Sequence, residues 1–187
     1  MREKALRVTG ALAAAFFVSH AIRCMRTGHP QDLLWCCNVA CALVAGAHLA
    51  RSPKLNAVAL MWLVIGNPCW VIDIMAGSEL EPTTCLTHVG ALVLAIVGAW
   101  ALRMPSGVWW KAMAALVALQ QLTRLVTPRA ENINLAFDVY TTTKTTIPSY
   151  PAYYALLTVV FLASFFAVER AAIWLAGSPQ NSAPGPK

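Results

Sequence analysis

Residues 55–76 read LNAVALMWLVIGNPCWVIDIMA. The run contains a single formal charge, Asp73, and at about 1.5 Å of rise per residue its length covers the ~30 Å hydrocarbon core of a bilayer. Apolar side chains occupy it nearly all round, whereas a soluble surface helix keeps a polar face. The stretch reads as a membrane span. Working outward, comparable apolar runs recur at Ala5 to Ile22, Leu33 to Ala50, Leu86 to Leu102, Val108 to Val126 and Ala152 to Ala176. The composition agrees, with 58% of the 187 residues hydrophobic and 12% charged. The expected fold class is therefore all-α, a polytopic transmembrane helical bundle of about six spans. Residues 1–176 are expected to form one transmembrane domain. Residues 177–187, rich in Pro, Gly and Ser, are expected to be a disordered tail. MREKALR before an apolar run also fits a signal peptide, but Arg23 and Arg26 stand where a small-residue cleavage site belongs, so the segment is read as a helix.

The net charge of +6 comes from 14 Lys and Arg against 8 Asp and Glu. These basic residues sit singly at the ends of apolar runs and form no block, a topology signal and not a nucleic-acid patch. Arg2, Lys4, Arg7, Arg51, Lys54, Arg103 and Lys111 fall on one side of the expected spans. Arg23, Arg26, Arg129 and Lys144 fall on the other. The positive-inside bias then places both termini in the cytoplasm.

Sorted by depth, the polar residues gather at the opposite, outer end. The second span brings Cys36, Cys37 and Asn38, the third Asn67, Pro68 and Asp73, and the fourth Thr84, Thr87 and His88. The fifth adds Gln120, Gln121, Thr123 and Arg124, and the connection after it Glu131, Asn132, Asn134 and Asp138. The inner half shows no comparable set. Ionisable residues in hydrocarbon cost several kcal/mol and usually face a bundle interior or a wet cavity, so a site at this level is the working expectation.

Each candidate also has a plainer reading. Asp73 and Arg124 can pair with each other or snorkel to headgroups. Pro68 frees a carbonyl one turn back and kinks its helix, with Asn67 or water as the partner. Five of the six cysteines lie in or beside spans without CxxC or zinc-type spacing, which fits small packing residues. A haem would need two histidines at like depth, which only His20 and His88 offer. A reactive cysteine needs a base, and His88 stands at about the depth of Cys37. GxSxG, HExxH, P-loop and dinucleotide-binding motifs are missing.

A helix beginning LLWCCN, a later helix opening with TH, and ENINLAF followed by PSYPAYYALLTVVF together resemble the YwaF-type integral membrane proteins. An animal relative of that family is a transmembrane acyltransferase that remodels ether phospholipids. The resemblance covers roughly Leu33 to Phe166. It implies that Cys37, with Cys36 as the register alternative, and His88 form an acyl-transfer pair. It also places Asn132 and Asn134 in the asparagine-bearing stretch and Tyr153 or Tyr154 at the aromatic start of the last helix. The expected function is acyl transfer on a lipid or lipid-like substrate, with Cys37 as nucleophile and His88 as base. Asn38, Asp73, Arg124, Asn132 and Asn134 are expected to bind or orient the substrate, with Asp73 also orienting His88 and Arg124 holding a phosphate. Membrane lipids are the expected partners, with no metal, cofactor or nucleic acid, and the bacterial inner membrane the expected location. The rival reading is a non-catalytic lipid or small-molecule carrier using the same cavity. Thiol exchange is a third, with Cys85 as the nearest candidate partner of Cys36 or Cys37.

Overall fold

A computed structural model describes residues 2–140, 144, 146, 147 and 149–175. The expected tail lies outside them. Six long helices follow one another: α1 (Arg2–Thr27), α2 (Cys36–Leu49), α3 (Pro53–Met75), α4 (Pro82–Leu102), α5 (Trp109–Val126) and α6 (Tyr150–Leu175). Among the described residues there is no strand, and the chain is a helical membrane protein.

The expected spans meet the helices unevenly. α1, α3, α4 and α6 are each long and apolar enough to cross a membrane. α2 has only 14 residues, about 21 Å of helix, which falls short of the ~30 Å core. The expected start at Leu33 is corrected to Cys36. Pro30–Leu34 forms a 3-10 turn instead, and Trp35 leaves it with an extended ψ of 134°. α5 has 18 residues, but Gln120, Gln121 and Arg124 dilute its apolar character. Two of the six runs are thus helices without being spans on length and apolarity alone.

Ser52 caps α3, its hydroxyl accepting from the Leu55 amide, and Pro53 takes the first helical position, where no N–H partner is needed. Pro68 stands inside the helix. The Asn67 side-chain amide reaches the Leu63 carbonyl at 2.7 Å and the His88 carbonyl at 3.5 Å, so it ties the Pro68 turn to α4. α4 itself passes through a π turn at Leu86–Gly90 that carries His88. Such turns widen the helix and are frequent at functional sites.

Small residues let the central helices approach closely. Ala40, Ala47, Ala57, Ala59, Ala91 and Ala95 are all fully buried where α2, α3 and α4 meet. Large apolar side chains on α1 and α6, among them Val8, Val18, Val159 and Trp174, point outward.

The end opposite Cys37 and His88 also holds a buried polar network, where the sequence reading expected no comparable set. His48 Nδ1 meets the Thr9 hydroxyl at 2.8 Å, and its Nε2 meets Asn56 Oδ1 at 3.2 Å. The Asn56 amide then donates to the Ala95 carbonyl at 2.9 Å. An amide oxygen can only accept, so Nε2 carries a proton. The network is a stitch across α1, α2, α3 and α4. A second device caps α5, where the buried Glu169 carboxylate of α6 accepts from the amides of Gly107, Val108 and Trp109 at 2.6–3.0 Å. The capping places a negative charge at the positive end of the helix.

Candidate functional site

At the end where α2 begins, α3 finishes and α4 begins, the helices enclose an open cavity of about 370 Å³. Its wall includes Cys37, Asn38, Asp73, His88 and Asn134. Five of the seven expected site residues therefore converge there. Apolar residues such as Trp62, Leu116, Phe161 and Phe165 also line it, while Asp32, Glu79, Glu81 and Arg23 are polar lining groups.

Cys37 sits in the first turn of α2, and its thiol lies against Gly66 of α3, where any β-carbon would overlap the sulfur. Only glycine leaves that notch open. The turn is held from a distance by Asn134, whose Oδ1 accepts from the Cys36 amide at 2.8 Å and whose amide donates to the Leu34 carbonyl at 2.7 Å. Asn134 itself sits at φ +54°, a left-handed position that asparagine tolerates better than most residues. Gln120 secures the backbone of Asn134 through a 2.8 Å bond to its carbonyl, and Tyr154 donates to Gln120 Oε1 at 3.2 Å. The first N–H groups of a helix lack a carbonyl one turn back. Here Asn134 takes the Cys36 amide and the Trp35 carbonyl takes those of Asn38 and Val39.

The His88 ring is held by Thr84 and Trp70, with the Thr87 hydroxyl 3.4 Å from Nδ1. Its Nδ1 lies 2.9 Å from the Thr84 carbonyl, which can only accept, so Nδ1 carries the proton and Nε2 presents a lone pair. The ring stacks on Trp70, with centroids 4.7 Å apart and 21° between planes. Among the described residues Nε2 makes no hydrogen bond. Gly66 and Trp70 are one turn apart on the same face of α3, so the thiol and the imidazole rest on neighbouring turns, about 6 Å apart along the axis. Cys37 and His88 do not bond to each other; the sulfur 4.0 Å from Cys37 Sγ is that of Cys36.

The remaining expected residues are placed as follows. Asn38 donates to the Asp32 carbonyl at 2.8 Å, and its Oδ1 is buried without a partner. Asp73 accepts from the Tyr140 hydroxyl and not from Arg124 or His88. Arg124 lies outside the cavity wall: it donates to the Ala136 carbonyl and, at 2.7 Å, to the Tyr150 hydroxyl. Asn132 is also outside, at φ +44°, its Oδ1 accepting from the Phe137 and Asp138 amides. Both organise the connection between α5 and α6. His20 lines the cavity as well, but its ring nitrogens face Thr83 Oγ1 at 3.2 Å and Cys24 Sγ at 3.4 Å. Among the described residues no three His, Cys, Asp or Glu side chains are grouped to hold a metal.

Sequence reading missed Gly66 and Trp70, the two residues that seat Cys37 and His88. The signal was present in their i, i+4 spacing, but nothing in spacing says which helix faces them. It also missed Cys69 as a wall residue beside Cys36 and Cys37. Compared with known proteins, the chain matches no family model, no curated protein and no solved structure.

Proposed function

We propose that this membrane protein transfers an acyl chain between lipid or lipid-like molecules through a thioester at Cys37. The reading is carried by one observation: a single apolar-walled cavity holds a thiol at a helix start and a histidine whose tautomer leaves Nε2 free to accept a proton. His88 Nε2 removes the thiol proton as sulfur attacks the ester carbonyl. The Cys37 N–H, at the positive end of α2, stabilises the oxyanion. The alcohol leaves with the proton held by His88, and the thioester remains. An acceptor hydroxyl then gives its proton to His88 and attacks the thioester, regenerating the thiol. Asn134 is a positioning residue, since it fixes the turn that presents Cys37. Asn38 and Asp73 bind or orient substrate at the wall, and the resemblance to the YwaF-type proteins supports the same pair.

Turnover of a fluorescent phospholipid by the chain in lipid nanodiscs tests the reading. Cys37→Ala and His88→Ala each remove turnover while the helical circular dichroism is kept. Undiminished turnover in either variant contradicts it.

The carrier reading is favoured by a different observation, the burial of Cys37 at 5% exposure with no bond to His88. A carrier keeps lipid binding and shows no lipid turnover, and Cys37→Ser leaves both unchanged. For topology, we infer six crossings, α2 completing its own with the 3-10 turn before it, and the asymmetry of Lys and Arg supports cytoplasmic termini. A reporter enzyme active only outside the cytoplasm then gives signal when inserted after Gly77 and none after Pro105.

A further inference from the structure

Three of the six cysteines meet at one wall of the cavity: Cys36 and Cys37 open α2, and Cys69 follows Pro68 on α3. The sulfurs of Cys36 and Cys37 are 4.0 Å apart, but consecutive helical residues point about 100° apart around the axis. Joining those two would unwind the turn that Asn134 holds. The Cys36 sulfur lies 3.8 Å from where a β-carbon on residue 66 would stand. Cys69 is three residues further along α3, and side chains at that spacing share a face with β-carbons about 5–6 Å apart. Cys37 is wedged against Gly66, whereas Cys36 is half-buried and Cys69 exposed. Of the three, Cys36 and Cys69 are the less buried, and both line the open cavity.

We propose that Cys36 and Cys69 form a reversible disulfide across the cavity wall by exchange with a small-molecule disulfide. The thiolate of one cysteine attacks a sulfur of RS–SR, expels RS⁻ and leaves a mixed disulfide. The second cysteine attacks the protein-bound sulfur and expels the other RS⁻. In sum, two protein thiols and RS–SR become one protein disulfide and two RSH, so the protein is oxidised by two electrons and the reagent reduced. A disulfide wants β-carbons about 3.8 Å apart, so the bond draws the start of α2 toward the Cys69 turn of α3. The bond pins α2 beside the Pro68 turn and narrows the approach to Cys37. It goes beyond the acyl-transfer reading and does not depend on it, because a carrier would have the same wall.

The test uses the full chain in lipid nanodiscs, oxidised glutathione as the reagent, and peptide mapping by mass spectrometry. The expected product is a Cys36–Cys69 cross-linked peptide, lighter by two hydrogens and restored by dithiothreitol. Cys69→Ser instead collects glutathione at Cys36. Separate glutathione on Cys36 and Cys69 without a cross-link overturns the proposal, as does a bond from Cys69 to Cys37 or Cys85. In the cross-linked protein, alkylation of Cys37 by N-ethylmaleimide slows several-fold; an unchanged rate overturns the bond's hold over the site. Lipid turnover by Cys69→Ser is a separate readout, so a failure of the disulfide and a failure of acyl transfer are distinguishable.

Discussion

The thiol of Cys37 and the missing side chain of Gly66 are one feature seen from two helices. Gly66→Ala inserts a methyl where the sulfur sits, and overpacking of that kind costs about 1–3 kcal/mol. Thermal unfolding in detergent is expected to show a lower Tm for it. Gly46→Ala is the control: no atom lies within 4 Å of its β-carbon position, and alanine favours a helix interior by up to about 1 kcal/mol, so its Tm is unchanged or higher. Asn134→Ala leaves the Cys36 amide and the Leu34 carbonyl without their partner, a loss of about 1–3 kcal/mol for each buried group left unpaired, and puts a β-carbon residue at φ +54°. Turnover should fall with it although Asn134 touches no reacting atom. Asn134→Gly separates the two effects, since it relieves the backbone and still lacks the amide; recovery of both stability and turnover in that variant would contradict the positioning role.

At the scale of elements, two devices hold helix ends and both are testable. Glu169→Gln removes the charge and one acceptor oxygen from the start of α5, where three amides converge, and hydrogen exchange at residues 107–109 should quicken. In the α5–α6 connection, the Lys144 ammonium and the Val139 amide hold the Asp138 carboxyl below the ordinary carboxylate value. A depressed folded value means the contact supports the connection above the ordinary value and is lost as pH falls through the folded one. In an NMR titration Lys144→Ala should move the Asp138 midpoint upward, and no movement would contradict the contact. Much at this scale was legible in the sequence. The apolar runs located all six helices, four of them by the length and composition that mark a membrane span. The start of α2 was not legible, because Leu33 and Leu34 continue the apolar run while Asn134, a hundred residues away, decides where the turn begins. Glu169 and His48 were equally hidden, since a lone polar residue in an apolar run carries no mark of its partner.

For the molecule as a whole, counting depth along each run was enough to bring Cys37, Asn38, Asp73, His88 and Asn134 to one cavity. Depth has no angular part, however. It could not tell that Arg124 and Asn132 turn toward the α5–α6 connection, nor that Trp70 and Thr84 rather than Asp73 hold His88. The cavity opens at the end where α2 begins, α3 finishes and α4 begins, and the His48 and Asn56 stitch crosses the helices at the opposite end. The most direct measurement is intact-protein mass spectrometry of the purified chain after incubation with membrane phospholipids, with Cys37→Ala alongside. The account predicts a mass gain of one fatty-acyl group that hydroxylamine removes and that the variant lacks. Lipid turnover with no adduct on the wild type, and undiminished in Cys37→Ala, would contradict it.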